Sequence, residues 1–133
     1  MSQQPTKYRL AVHPSSFAIC RLAPDRPLPD WALESRWFAI TRTASELSVV
    51  CPESVVPVAV TAELGWRWLS VEGCLEISLV GVIAGLTETL ARAGISVLVL
   101  SSFDTDHLLI RSDDLPAATR ALLAAGYGIL EEA

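Results

Sequence analysis

The chain has 133 residues, 51% of them apolar and 19% charged, with a formal net charge of −5. That length suits one domain or two small lobes with a real core, and the acidic balance argues against a nucleic-acid partner. No apolar run approaches a membrane-spanning helix and Met1 to Pro5 shows no basic-then-apolar leader, so no membrane partner is expected and cytoplasm is the expected compartment.

Lys7 to Val12 predicts a strand ending at Pro14. Phe17 to Leu22 predicts a second, stopped by the proline-rich run from Ala23 to Pro29. Asp30 to Ser35 has room for one or two helical turns. Trp37–Thr41 and Leu47–Cys51 read as a hairpin, Pro52–Val56 as one more turn, and Val58–Thr61 as a short strand. Seven of the eight prolines fall in this half. Trp66–Val71 then predicts a strand whose Trp66 and Trp68 share one face. Leu79, Val82, Ile83, Leu86 and Leu90 recur at helical spacing, with Ser78 as N-cap and Gly94 as the C-terminal stop. Ile95, Val97 and Val99 alternate along a strand, and Leu108–Ile110 forms its hairpin partner. Asp114-Leu115-Pro116 opens a second helix whose apolar face is Leu115, Ala118, Leu122 and Leu123 and whose end is Gly126. Gly128 to Glu132 closes the chain as a strand.

Residues 66–133 therefore read β-α-β-β-α-β. The fold class is α+β, with two helices covering one face of an antiparallel, ferredoxin-like sheet. The first half has the same order with shortened helices. The expected division is a degenerate first lobe at 1–65, carrying Lys7–Val12 as an added strand, and a second lobe at 66–133.

Between the hairpin strands lies Ser101-Ser102-Phe103-Asp104-Thr105-Asp106-His107. It holds three hydroxyls, two carboxylates, a ring and an imidazole, far more than a turn needs. The −5 charge also belongs to this half. Residues 1–66 carry six basic and six acidic side chains, and residues 67–133 carry four and nine. Near Asp104 and Asp106 that favours cationic groups. Cys20, Cys51 and Cys74 are odd in number and widely spaced, which excludes a zinc-ribbon pattern and argues against a disulfide framework. His13 and His107 lie in different halves, so no metal site is expected. No phosphate loop, nucleophile elbow or HExxH run occurs, no base–nucleophile pair is recognisable, and neither an enzyme nor a cofactor is expected.

The segments Val71-Glu72-Gly73, Ile77-Ser78-Leu79-Val80-Gly81, Ala93-Gly94-Ile95-Ser96 and Ser101 to Ile110 together resemble the ACT domain family. With Phe17–Leu22, Ile40–Thr43 and Glu46–Glu53, the resemblance narrows to small tandem-ACT proteins related to cytosolic arginine sensors. It implies regulatory binding of an amino acid between neighbouring ACT units. In those relatives the matching strand-end segment supplies main-chain contacts, an aromatic ring and an acidic residue. By position these fall on Ser102, Phe103 and Asp106.

An amino-acid ligand offers a carboxylate and an ammonium. The turn Glu76-Ile77-Ser78 ahead of the long helix presents free N–H groups for the carboxylate. Gly81 admits a close approach of ligand or backbone, or else relieves packing against the sheet. Asp106 or Asp104 supplies an acceptor for the ammonium. Asp104 also serves as a plain turn residue, Asp106 as a cap of that turn, and His107 as a locally bonded group. The alternative function is a ligand-free dimerisation or protein-interaction module on the same fold. Pairing of ACT units, within the chain or in a homodimer, is expected, with a regulated protein as a further possible partner.

Overall fold

The computed structural model describes residues 7–73 and 80–131. In chain order the elements are β1 (Arg9–Leu22), α1 (Asp30–Leu33), β2 (Ala39–Arg42), β3 (Leu47–Pro52), β4 (Thr61–Val71), α2 (Val82–Arg92), β5 (Leu98–Ser101), β6 (Asp106–Arg111), α3 (Leu115–Ala124) and β7 (Gly128–Glu131). Single 3-10 turns occupy Glu53–Val55 and Ser112–Asp114. The fold is mixed α/β and strand-rich, with mostly antiparallel pairing. It divides into two units, Met1–Pro14 with Arg67–Ala133, and Ser15–Trp66.

In the first unit β1 lies between β7 and β4, and β6 and β5 follow. β7 is parallel to β1, with Arg9 opposite Gly128 and Val12 opposite Glu131. This corrects the expected all-antiparallel sheet. The N-terminal strand takes the place beside β4 that a ferredoxin-like lobe gives to its last strand. Packing explains the insertion. Leu10 and Val12 are fully buried with Leu69, Val71, Leu108 and Ile110, and the Glu72 N–H donates to the Arg9 carbonyl at 2.8 Å. Residues up to Pro14 thus belong with the C-terminal stretch, where the sequence had placed them in the first lobe.

Helices α2 and α3 bury Val82, Leu86, Leu90, Leu115, Ala118 and Leu122 in the same core. Both end alike. The Gly94 and Ile95 N–H groups donate to Ala91 and Leu90, and those of Gly126 and Tyr127 donate to Leu123 and Leu122. Each glycine takes positive φ, and the apolar residue after it folds back onto the core. The start of α2 differs from expectation. Gly81, at φ 86, is its N-cap, and Ser78 lies outside the described residues. Gly85, inside α2, is needed for closeness, because an added Cβ would lie 2.8 Å from the Tyr127 hydroxyl oxygen.

In the second unit β2, β3, β1 and β4 are neighbours in that order. The core pairs stand directly opposite each other: Ala18 with Cys51, Cys20 with Val49, Leu22 with Leu47. α1, only four residues long, adds Ala32. Cys20 and Cys51 are buried free thiols, and the hydrogen bond between them, together with burial, pushes the Cys51 thiol up. Two predicted breaks in the strands are absent. β1 continues through Pro14, which falls between its pairing with β7 at 9–12 and with β3 at 17–22, so its missing N–H costs no ladder bond on that side. Val58–Thr61 is not a separate strand. β4 runs from Thr61 to Val71, and within it Gly65 takes φ 82 while its N–H donates to Glu53 Oε1 at 2.9 Å.

Candidate functional site

β5 and β6 form the expected hairpin, with Leu98 opposite Leu109, Leu100 opposite His107 and Ser101 opposite Asp106. The four-residue link Ser102–Thr105 is closed by the Ser102 N–H donating to the Thr105 carbonyl at 2.9 Å, and the Ser102 hydroxyl donates to the same oxygen at 3.0 Å. The Thr105 hydroxyl donates to the Val71 carbonyl at 2.7 Å, which fastens the link to the end of β4.

The predicted site residues separate into three groups. Ser102, Phe103, Asp104 and Asp106 share this hairpin end. Phe103 is 82% exposed, although its ring is large and apolar. Asp106 is half-buried, and its Oδ1 accepts from the Ser101 hydroxyl at 2.8 Å. Gly81 is exposed at the head of α2, with open space where a Cβ would stand. Its left-handed backbone, not a close neighbour, accounts for the glycine. Glu76, Ile77 and Ser78 lie outside the described residues.

Beneath the hairpin end is a cluster that sequence reasoning missed. The Trp68 indole N–H is 3.1 Å from His107 Nδ1 and 3.2 Å from the Ser70 hydroxyl. Ser70 Oγ and His107 Nδ1 are 2.8 Å apart, and Ser102 Oγ and His107 Nε2 are 2.9 Å apart. The indole meets the imidazole edge-on, 5.4 Å between centroids at 67°. Burial holds the His107 pKa below its ordinary value, against the pull of the Asp106 carboxylate. Trp68 and Ser70 stand two apart on β4 and so face one way. That signal was legible, but the adjacency of β4 and β6 was not. Among the described residues no three or more His, Cys, Asp or Glu side chains gather as a metal ion requires, and no helix is long and apolar enough to cross a membrane.

Comparison with known proteins places these features. Residues 61–124 match the ACT domain family, and residues 15–59 match a separate N-terminal domain family. The protein Atu0741 from Agobacterium tumefaciens is 34% identical, with a TM-score of 0.90 over 95% of this chain and 94% of its own. VC0802 from Vibrio cholerae, a protein of unknown function, is 20% identical with a TM-score of 0.74 over 91% of each chain. The regulatory subunit of aspartate kinase from Thermus thermophilus is 19% identical with a TM-score of 0.61, over 87% of this chain and 95% of its own, and shares the fold. No curated protein matches the sequence. The chain belongs to the same family as Atu0741, and its residues 61–124 are an ACT domain.

Proposed function

We propose that the chain is a regulatory, non-catalytic protein that binds an amino acid through its ACT domain, without a cofactor. The observation that carries this is the ACT match over residues 61–124, which includes Gly81, the whole link Ser102–Thr105 and Asp106. The regulatory subunits of aspartate kinase that share the fold favour regulation over catalysis. In the finer form of the proposal, the chain is a tandem of two ferredoxin-like ACT lobes, the first reduced, similar to the cytosolic arginine sensors. It works in the cytoplasm and pairs ACT units within the chain or in a homodimer.

The head of α2, where the expected segment 76–81 ends at Gly81, would take the ligand carboxylate on its N–H groups. Asp106, whose Oδ1 already accepts from Ser101, would take the ammonium on its other oxygen, with Asp104 beside it. Phe103 would close one wall, and its exposure leaves it free to do so. A thermal-shift screen of the twenty amino acids tests this, because a ligand bound only by the native state raises the melting temperature. A rise with one amino acid or a chemically related few is expected; no rise with any would defeat amino-acid binding.

The alternative is a ligand-free interaction module. The exposure of Phe103 at 82% and Val80 at 94% favours it, since apolar groups left open commonly meet a partner protein. Its mark would be concentration-dependent association with a flat amino-acid screen.

A further inference from the structure

The Trp68 and His107 side chains have no role in the ligand contacts proposed above, yet with Ser102 they join β4 to the link that carries Phe103. We propose that His107 is the positioning residue of this site: as a neutral imidazole protonated on Nε2, it holds Ser102 against β4 and so fixes the link Ser102–Thr105 in its ligand-ready form. The ligand part of this rests on the amino-acid-binding function proposed above; the positioning part does not.

The tautomer follows from donor counting, since hydrogens are inferred from the network. The indole N–H of Trp68 only donates. With Nδ1 unprotonated, it accepts from Trp68 at 3.1 Å and from the Ser70 hydroxyl at 2.8 Å. Nε2–H then donates to Ser102 Oγ at 2.9 Å, which frees the Ser102 proton for the Thr105 carbonyl at 3.0 Å. Every donor then has an acceptor, the single indole proton being shared between Nδ1 and Ser70 Oγ. With the proton on Nδ1 instead, two N–H groups face each other across 3.1 Å, and Ser102 has one proton for two acceptors. The surroundings agree. From β4 the facing groups are Trp68 and Ser70, from β5 the opposite residue is Leu100, and from the link Ser102; none is charged. Asp106, next on β6, is a carboxylate that acts on the ring. Half-burial favours the neutral form over the charge of Asp106.

A chain of bonds thus runs from Trp68 through His107 and Ser102 to Thr105, and Thr105 returns to Val71. Removing the imidazole cuts it in the middle. Removing Phe103, which is exposed, cuts none of it.

Three measurements on the full chain test this. The first is long-range 1H–15N correlation of the imidazoles, with His13→Asn separating the two histidines. An Nε2–H pattern for His107 is expected; an Nδ1–H pattern overturns the proposal. The second is hydrogen exchange of the Ser102 amide without ligand. His107→Phe should speed it at least tenfold, while His107→Gln, which keeps a side-chain donor within reach of Ser102, should restore most of the protection. Equal exchange in His107→Phe and wild type overturns the positioning role. The third applies the panel of twenty amino acids to the same variants. His107→Phe should lose at least tenfold in affinity for whichever amino acid binds the wild type, and His107→Gln should recover it. If none binds the wild type, amino-acid binding fails while the exchange result still decides the role of His107.

Discussion

The two units spend their side chains differently. The first carries two helices of 11 and 10 residues and fills its core with Leu, Ile and Val. The second has one helix of four residues, and its core relies on Ala18, Cys20, Ala32 and Cys51 beside Leu and Val. Long helices bring a broad apolar stripe to the sheet, and large side chains fill the gap beneath them. A single helical turn brings Ala32 and the half-buried Trp31, and smaller residues complete that core. The hydrogen-bonded cluster of Trp68, Ser70, Ser102 and His107 belongs to the first unit, where a large core fixes the strands that hold it. Precise polar geometry is most readily kept where packing is deepest.

The largest effect should come from the first core. Leu86 is fully buried, and Leu86→Ala should cost about 2–5 kcal/mol by denaturant unfolding. Cys51→Ala, which removes one sulfur from the smaller core, should cost about 1 kcal/mol, the ordinary size of a point mutation. Equal losses would erase the difference between the units.

Next in size is ligand affinity. Asp106→Asn should weaken amino-acid binding by about 1.5–3 kcal/mol, the worth of a hydrogen bond to a charged group. Phe103→Ala should weaken it through lost apolar contact. Calorimetry of both variants measures this, and unchanged affinity in both would move the site elsewhere. Phe103→Ala should leave stability within about 0.5 kcal/mol, as an exposed side chain implies.

Gly85 sharpens the comparison at one atom. Alanine at a helix interior gains about 1 kcal/mol over glycine, but here its Cβ would press on the Tyr127 hydroxyl. Gly85→Ala should therefore stabilise the Tyr127→Phe background and fail to stabilise the wild type. Melting temperatures of the four proteins decide it; a gain of the same size in both backgrounds would show that Tyr127 yields freely.

The smallest effect is on pH. Burial lowers the His107 pKa in the folded state, so the folded state binds fewer protons than the unfolded chain as pH falls. The contribution of His107 is complete above the unfolded value of about 6.5 and declines as pH drops through it, until the folded group also protonates. Unfolding free energy should fall with pH in this window, and His107→Gln should flatten the slope relative to wild type. A wild-type slope retained in His107→Gln would assign it to other groups.

Periodicity and punctuation alone were enough for much of the fold. Leu86 and Leu90 at helical spacing, the Gly94 and Gly126 stops, Pro116 at the head of α3, and the hairpins around Thr43 and Asp104 all follow from local rules that each segment obeys by itself. The polar density of Ser101–His107 marked the candidate site for the same reason. Three features were decided only by tertiary structure. β1 inserted between β4 and β7 because burying Leu10 and Val12 outweighed chain order. Gly65 and Pro14 interrupted no strand, because pairing partners, not residue type, set where a strand ends. And Trp68, Ser70, Ser102 and His107, separated by up to 39 positions, met because β4 and β6 are neighbours. A sequence states which faces are apolar, but which strand lies next to which is settled by the best common packing of all of them.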